Sequence, residues 1–276
     1  MGKERTHIVF AQTVYSKIDV PEIKKIIKDN MEWYFLGCIA PDIFYYSKDP
    51  KLEYISECLH GKHGFLTNKV IFDLAKDSNS KDVQAFIMGY ITHCVLDMSM
   101  HPIINSFTGD YNSSLEAKAK HRQIETELDL LLSHEDVLHL LPNHIHKDFL
   151  FVNWLDLEFN IKYSQFKASY NRMLKLTKLF KSRIAYKIAA IFAKDKSILP
   201  LFYNCAEKTC AEEKLLPQIQ MQNKNFLDKN IEIAVDETCL RVINVHKFIL
   251  KWISVAEAKL VVKAENLDTG INMDKL

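Results

Sequence analysis

Apolar residues recur at helical spacing through most of the chain, and no alternating strand pattern of useful length appears. Ile8, Val9, Ala11, Val14 and Tyr15 predict a first helix that Thr6 can cap. Pro21, at a first helical position, predicts a short helix over Glu22 to Asn30. Met31 to Ile39 is apolar and aromatic and breaks at Pro41-Asp42, and residues 43–59, with Pro50 inside, read as irregular. Phe65, Val70, Ile71 and Leu74 mark a helix over Gly64 to Lys76. Ser80 or Asp82 opens a long helix through Phe86, Ile87, Tyr90, Ile91, Val95 and Leu96, which Pro102 is expected to stop. After a turn region at Gly109 to Ser114, a helix runs from Ser114 to about Ser133. A His-containing stretch around Pro142 follows, then helices at about 162–182 and 184–194. The last element, from Asp228 to about Leu260, repeats Ile231, Val235, Val242, Val245, Ile249 and Trp252 at helical spacing. As one helix it would run about 45 Å and suit core packing or a dimer contact.

Composition sharpens this into an all-α expectation. Seven glycines and seven prolines in 276 residues are too few for the tight turns of an all-β or α/β chain. With 48% hydrophobic and 26% charged residues, disordered and fibrous classes are excluded. Cys38, Cys58, Cys94, Cys205, Cys210 and Cys239 have no repeating spacing and read as reduced, mostly buried thiols. No stretch of about 18 apolar residues predicts a transmembrane helix, and the basic start MGKERTHIVFAQ leads into no signal-peptide core. A cytoplasmic location is therefore expected, with a secreted form left open if a leader has been removed. A composition shift near residues 142–160 suggests a metal-binding helical half over 1–145. Residues 146–276 then supply additional helices packed on it as one catalytic domain.

The net charge of +1 names no partner, but its distribution is uneven. Residues 162–196 hold ten Lys/Arg and one acid, Asp195, leaving 26 basic and 34 acidic residues elsewhere. Tyr163, Phe166, Tyr170, Phe180 and Tyr186 lie among these charges. The segment could meet anionic lipid, or less readily a nucleic-acid backbone. The commoner arrangement is a solvated lysine face with its aromatics packed inward. Nothing in the sequence settles the oligomeric state.

Ten of the eleven histidines precede residue 147. His93, Asp97 and His101 are four apart, so His93 and Asp97 share one helical face, with His101 at the end that Pro102 is expected to impose. His121 and Glu125 repeat the i, i+4 spacing. Two helices that each offer imidazole and carboxylate can surround a divalent metal, because that is the ligand set of catalytic zinc. A single such pair is as readily a capping or ion pair. His7 alone would be a surface residue, Asp42 a turn aspartate, and His60 and His63 precede a helix. The adjacent His-Asp dipeptide of the HD-domain phosphohydrolases is absent, and of the two ExxH pairs that a carboxylate-bridged di-iron bundle needs only Glu57xxHis60 is present.

Taken in order, Thr6-His7, Gly37-Cys-Ile-Ala-Pro41-Asp42, His60, His93xxxAsp97xxxHis101 and His121xxxGlu125 resemble the zinc-dependent phospholipase C family, which is related to the P1-type nucleases. The resemblance covers about residues 6–130, and the spacing around Asp97 is closer to the glycosylphosphatidylinositol-phospholipase-D branch. It implies a multi-helix bundle with two to three zinc ions in a cleft and hydrolysis of a phosphodiester by metal-activated water. His60, His93 and Asp97 would bind one zinc, and His101, His121 and Glu125 a second. His7 and Asp97 would bind a third, with Asp97 bridging. His60 is preferred to His63 because it follows Leu59 as in relatives. Asp42 would act on the attacking water as base or orienting group. Secreted members complete the third zinc with an N-terminal tryptophan, and this chain has no Trp before Trp33. That leaves the third ion absent, weakly held, or completed by water or another side chain. A phospholipid is the first substrate expectation. A P1-type nuclease-like phosphodiesterase and a catalytically degenerate helical scaffold are the alternatives.

Overall fold

A computed structural model describes residues 4–76, 78–111, 113–132, 137–208, 214–217 and 226–274. Ser133 and Cys210, named above, lie outside the described residues. The described residues contain helices and no strand, in line with the all-α expectation, and a single isolated antiparallel bridge joins Glu265 to Asn272. In chain order the helices are α1 (Glu4–Lys17), α2 (Pro21–Asp29), α3 (Met31–Ile39), α4 (Pro50–Leu59), α5 (Asn68–Lys76), α6 (Lys81–Thr108) and α7 (Leu115–Leu132). They continue as α8 (Leu150–Phe159), α9 (Tyr163–Phe180), α10 (Arg183–Phe192), α11 (Tyr203–Lys208), α12 (Phe226–Ile249) and α13 (Val255–Val261). Short 3₁₀ segments occupy Ala40–Tyr46, Leu138–Leu140 and Lys196–Leu201. No described helix is long and apolar enough to cross a membrane.

α6 is the axis of the molecule: α1, α2, α3, α5, α7 and α12 all pack against it, α3 most extensively. Two glycines explain that crossing. A Cβ on Gly37 would sit 2.1 Å from the Phe86 carbonyl oxygen, and one on Gly89 would sit 1.9 Å from that of Tyr34. The two backbones therefore touch where only glycine fits. Around this contact Tyr34, Phe35, Phe86, Tyr90 and Phe151 are buried in one core that reaches from Ile8 to Leu267.

Several local expectations are corrected. Residues 50–59 form α4 rather than irregular chain, because Pro50 stands at the first helical position, where a missing N–H costs nothing, and the Asp49 side chain accepts from Lys51 N at 3.0 Å. α6 runs through Pro102 to Thr108. The carbonyl that Pro102 leaves without its intrahelical donor is Met98's, and Gly270 of the C-terminal segment packs over that notch. Thr6 lies inside the first turn of α1, not at its cap, and its N and Oγ1 donate to Asp129 Oδ1 at 2.8 and 2.6 Å. The last element is two helices, divided at Lys251 with φ of 60° and restarted by the reciprocal Ser254–Glu257 cap. Trp252 falls in that break and is exposed.

Stretches that the periodicity left unassigned turn out to be structural. α8 carries Phe151, Trp154 and Leu155 into the core. Residues 262–274 lie back over the C-terminal ends of α4 and α6: Leu267 N donates to the His60 carbonyl at 2.9 Å, and Arg241 clasps Glu265 at 2.6 and 3.0 Å. Cys38, Cys58 and Cys94 are buried, Cys205 and Cys239 are partly exposed, and none of these five is in a disulfide among the described residues.

Candidate metal centre

α6 builds the centre along one face. Gly89, His93, Asp97, His101 and Asn105 follow at intervals of four, and such residues stack along one ridge of a helix. α1 brings His7 to this ridge, the Ala40–Tyr46 segment brings Asp42, the C-terminus of α4 brings His60, and α7 brings His121 and Glu125. All seven residues expected as ligands, together with Asp42, are buried. His63 is not part of the cluster: it is 41% exposed at its side chain and pairs with Glu57 at 2.9 Å.

The Asp97 carboxylate sits at the middle. Its Oδ2 lies 3.3 Å from both His60 Nε2 and His93 Nε2, while its Oδ1 lies 3.3 Å from His7 Nε2 and 3.7 Å from His101 Nε2. His60 Nε2 and His93 Nε2 face each other at 3.3 Å. His121 Nε2 lies 3.1 Å and His101 Nε2 3.8 Å from Glu125 Oε1. Three groups emerge whose donor atoms could surround an ion: His7, His93 and Asp97; Asp42, His60 and His93; and His101, His121 and Glu125. The first two share His93, and Asp97 Oδ2 adjoins the second.

The outer nitrogens of His60, His93, His101 and His121 face acceptors, whereas His7 Nδ1 is buried without a hydrogen-bond partner among the described residues. His60 Nδ1–H donates to the Ser56 carbonyl at 2.7 Å and His93 Nδ1–H to the Cys38 carbonyl at 3.0 Å. His121 Nδ1–H donates to Asn105 Oδ1 at 3.2 Å, with the amide turned by its own bond to the Asp268 carbonyl at 3.1 Å. His101 Nδ1 faces Asp268 Oδ1 at 3.3 Å. In these four residues the contacts turn the Nε2 lone pair inward, the tautomer that binds a metal.

Two observations show that the residues fit zinc. Neighbouring donors of a tetrahedral zinc with ligands at 2.0–2.1 Å stand about 3.3 Å apart, which is the separation found here repeatedly. In addition, Asp42 Oδ1 and Asp97 Oδ2 are buried and accept no well-formed hydrogen bond from the described residues. Leaving buried carboxylates uncompensated is costly. In the metal-free cluster protons take up part of that charge. Burial opposes protonation of His60, but Asp42 and Asp97 outweigh it and raise it to about 9. His101 is raised to about 10 in the same way, by Asp97, Asp268 and Glu125 against burial. His7 is lowered to about 4 by burial and by His93, whose ring stacks on it at 4.3 Å.

A family model of zinc-dependent phospholipase C matches residues 6–214. The chain belongs to the zinc-dependent phospholipase C family. Neither the comparison with curated proteins nor that with solved structures returns a match.

In this phospholipase C family member the cluster opens on a cleft of about 410 Å³ through His121, Asp268 and Tyr45. A second, partly open pocket of about 30 Å³ lies beside His7, Asp97 and Glu125. Lys118 and Arg122 of α7 and Arg172 of α9 line the cleft, and none of the three is ion-paired among the described residues. Lys118 and Arg122 stand 5.1 and 5.8 Å from the Tyr111 ring centre, and Arg122 Nη1 donates to the Ser197 carbonyl at 3.0 Å.

Two features add to the sequence reading. Asp42, expected to act on water and not to hold metal, has Oδ1 3.3 Å from His60 Nε2, as near as Asp97. Its position suits either a ligand or a base. Asp268 and Asn105, which orient His101 and His121, were not singled out. Asn105 could have been found as the next i+4 member of the α6 ridge. Asp268 carried only a weak signal, the turn-rich Asn266-Leu-Asp-Thr-Gly270 run.

Proposed function

We propose that this chain is a zinc-dependent phosphodiesterase acting on phospholipid, with His60, His93 and Asp97 holding one ion and His101, His121 and Glu125 a second. His7 and Asp97 contribute to a third. The observation that carries the reading is the buried array of imidazole Nε2 atoms and carboxylate oxygens at 3.3 Å, opening on a cleft where Lys118, Arg122 and Arg172 have no ion-pair partner among the described residues. When bound, zinc supplies Lewis-acid neutralisation of phosphoryl oxygens and a lowered pKa for water.

The protein's own groups have separate tasks. Lys118, Arg122 and Arg172 attract and orient the phosphate anion at the cleft mouth. Asp97 holds four imidazoles in place through its two oxygens. Asp42 takes or orients the proton of the attacking water, its carboxyl kept ionised against burial by the facing His60. Ser56 ties this part together: its Oγ donates to the Pro41 carbonyl at 2.6 Å beside Asp42, while its own carbonyl accepts from His60. Residues 1–145 supply the candidate ligands, and 146–276 supply Arg172, Phe180, Leu201 and Asp268 to the cleft, which supports treating both as one catalytic unit.

The test pairs metal content with a substrate panel. The purified protein should retain about two or three zinc ions and release phosphorylated head group from phospholipid faster than it cleaves single-stranded nucleic acid. Less than one equivalent of zinc, with no uptake on addition, would overturn the metal centre. Faster nucleic-acid cleavage would move the protein to nuclease chemistry. Full zinc with inactivity on both would leave a degenerate scaffold.

A further inference from the structure

We propose that α10 is a docking helix for an anionic lipid surface and that it sets the cleft mouth against that surface. Ile184, Ile188, Ile191 and Phe192 are 72%, 55%, 71% and 75% exposed, and α10 has no buried residue. At 3.6 residues per turn the four fall within an arc of about 100°, a continuous apolar stripe. The other side, Ala185, Tyr186 and Ala189, is half-buried, with Tyr186 tilted against Phe202 at 5.9 Å. The helix is thus mounted on the protein by its small-residue side, and its large aliphatic side faces outward.

Charge selects the occupant. From Lys175 to Lys196 there are seven Lys/Arg and one acid. That acid, Asp195, is engaged locally, accepting from Ser197 N at 2.8 Å. Arg183 and Lys187 border one edge of the stripe. Exposed aliphatic residues flanked by cations match the interface of an anionic membrane, where the apolar face enters the acyl boundary and the cations reach the head groups. A second copy meeting the same face would bring like charges together. The aromatics of α9, by contrast, do pack inward, with Phe166 and Tyr170 buried. On α9 only Leu179, near its C-terminal end, is an exposed large apolar residue among the described residues, and the continuous outward stripe is on α10.

Location relates docking to the cleft. Phe180, at the end of α9 just before α10, and Leu201, at the end of the 3₁₀ segment that follows α10, both line the cleft. A membrane seated on α10 would lie at the cleft's lip. The choice of lipid over an acidic protein partner rests in part on the phospholipid reading above, whereas the stripe and its charges do not.

The test uses the full chain and sedimentation with vesicles of phosphatidylcholine, with and without phosphatidylserine. Binding to the phosphatidylserine vesicles, weakened by salt, is expected. Ile188→Asp and Ile191→Asp should each reduce partitioning by about tenfold or more. Lys187→Ala should reduce it about fivefold on anionic vesicles only. These side chains are exposed, so the variants should melt as the parent does and hydrolyse a water-soluble substrate equally. Phe192→Trp should shift its emission to the blue on anionic vesicles. Absence of vesicle binding, or binding indifferent to both Ile variants, overturns the inference. So does a dimer in sedimentation velocity that Ile188→Asp abolishes while vesicle binding stays unchanged. Vesicle binding with no hydrolysis of any phosphodiester upholds the docking surface and removes the phosphodiesterase reading instead.

Discussion

Gly89→Ala separates what helix propensity predicts from what the α3–α6 crossing requires. In an isolated helix the change gains about 1 kcal/mol. Here the new Cβ would lie 1.9 Å from the Tyr34 carbonyl oxygen, 2.8 Å from its carbon and 3.1 Å from Cys38 N. Those are backbone atoms of a packed helix, so no rotamer change relieves the clash. A carbon–oxygen contact of about 3.3 Å requires the helices to part by about 1.4 Å. Overpacking of this kind costs about 1–3 kcal/mol, and with backbone on both sides the upper end applies. The net expectation is a loss of about 2 kcal/mol, or about 4–8 °C in melting temperature for a chain of this size. The same displacement would pull the Cys38 carbonyl from His93 Nδ1, now at 3.0 Å and one turn along α6. Loss of such a support typically weakens metal binding by about 10- to 100-fold. Calorimetry and a zinc competition titration with a chromogenic chelator measure both effects. Gly64→Ala serves as the control: it has φ of 76° and open space around it, so it should lose about 1–2 kcal/mol through backbone strain and leave zinc affinity unchanged. A higher melting temperature for Gly89→Ala would refute the crossing argument. A lower one with unaltered zinc affinity would refute the coupling of the crossing to His93.

Other predictions follow from the site. Asp97→Asn should lose metal and stability together, because its two oxygens face four imidazoles. Asp42→Asn should keep most of the metal while losing about 10²-fold or more in rate; the reverse pattern in zinc stoichiometry and turnover would exchange the two roles. Asp268→Asn should weaken the His101, His121 and Glu125 group by about 10- to 100-fold in a zinc titration and leave the group around His60 unaffected, and a uniform loss would count against the assignment. In metal-stripped protein, His60 at about 9 and His101 at about 10 hold protons that the unfolded chain sheds above about 6.5. Stability of that form should fall as pH rises from about 6.5 through 10. Zinc takes the unprotonated imidazoles, so the gap between zinc-loaded and stripped melting temperatures should widen over the same range, and a constant gap would contradict the proton count.

The sequence by itself determined the helical class and most helix positions, because a 3.6-residue period is a local property that survives without knowledge of partners. It also marked the candidate ligand pairs that lie within one helix, His93 with Asp97 and His121 with Glu125, since i, i+4 spacing alone puts them on one face. The tertiary structure decided what depends on distant chain meeting chain. Pro102 does not end α6, and Gly270 of the C-terminal segment packs over the Met98 carbonyl that it leaves vacant. Whether His60 or His63 enters the cluster turned on the end of α4, which the chain holds through a bond from Leu267, some two hundred residues away in sequence. Asp42 meets His60 where the 3₁₀ segment packs on α4, with Ser56 Oγ bonded to the Pro41 carbonyl. Asp268 reaches His101 only because the C-terminal segment lies back over α6. The basic run 162–196 was legible as charge, but its periodicity does not say which side of α10 the rest of the protein covers. That was settled by Tyr186 and two alanines fitting against the body, which leaves the larger aliphatic side chains facing outward.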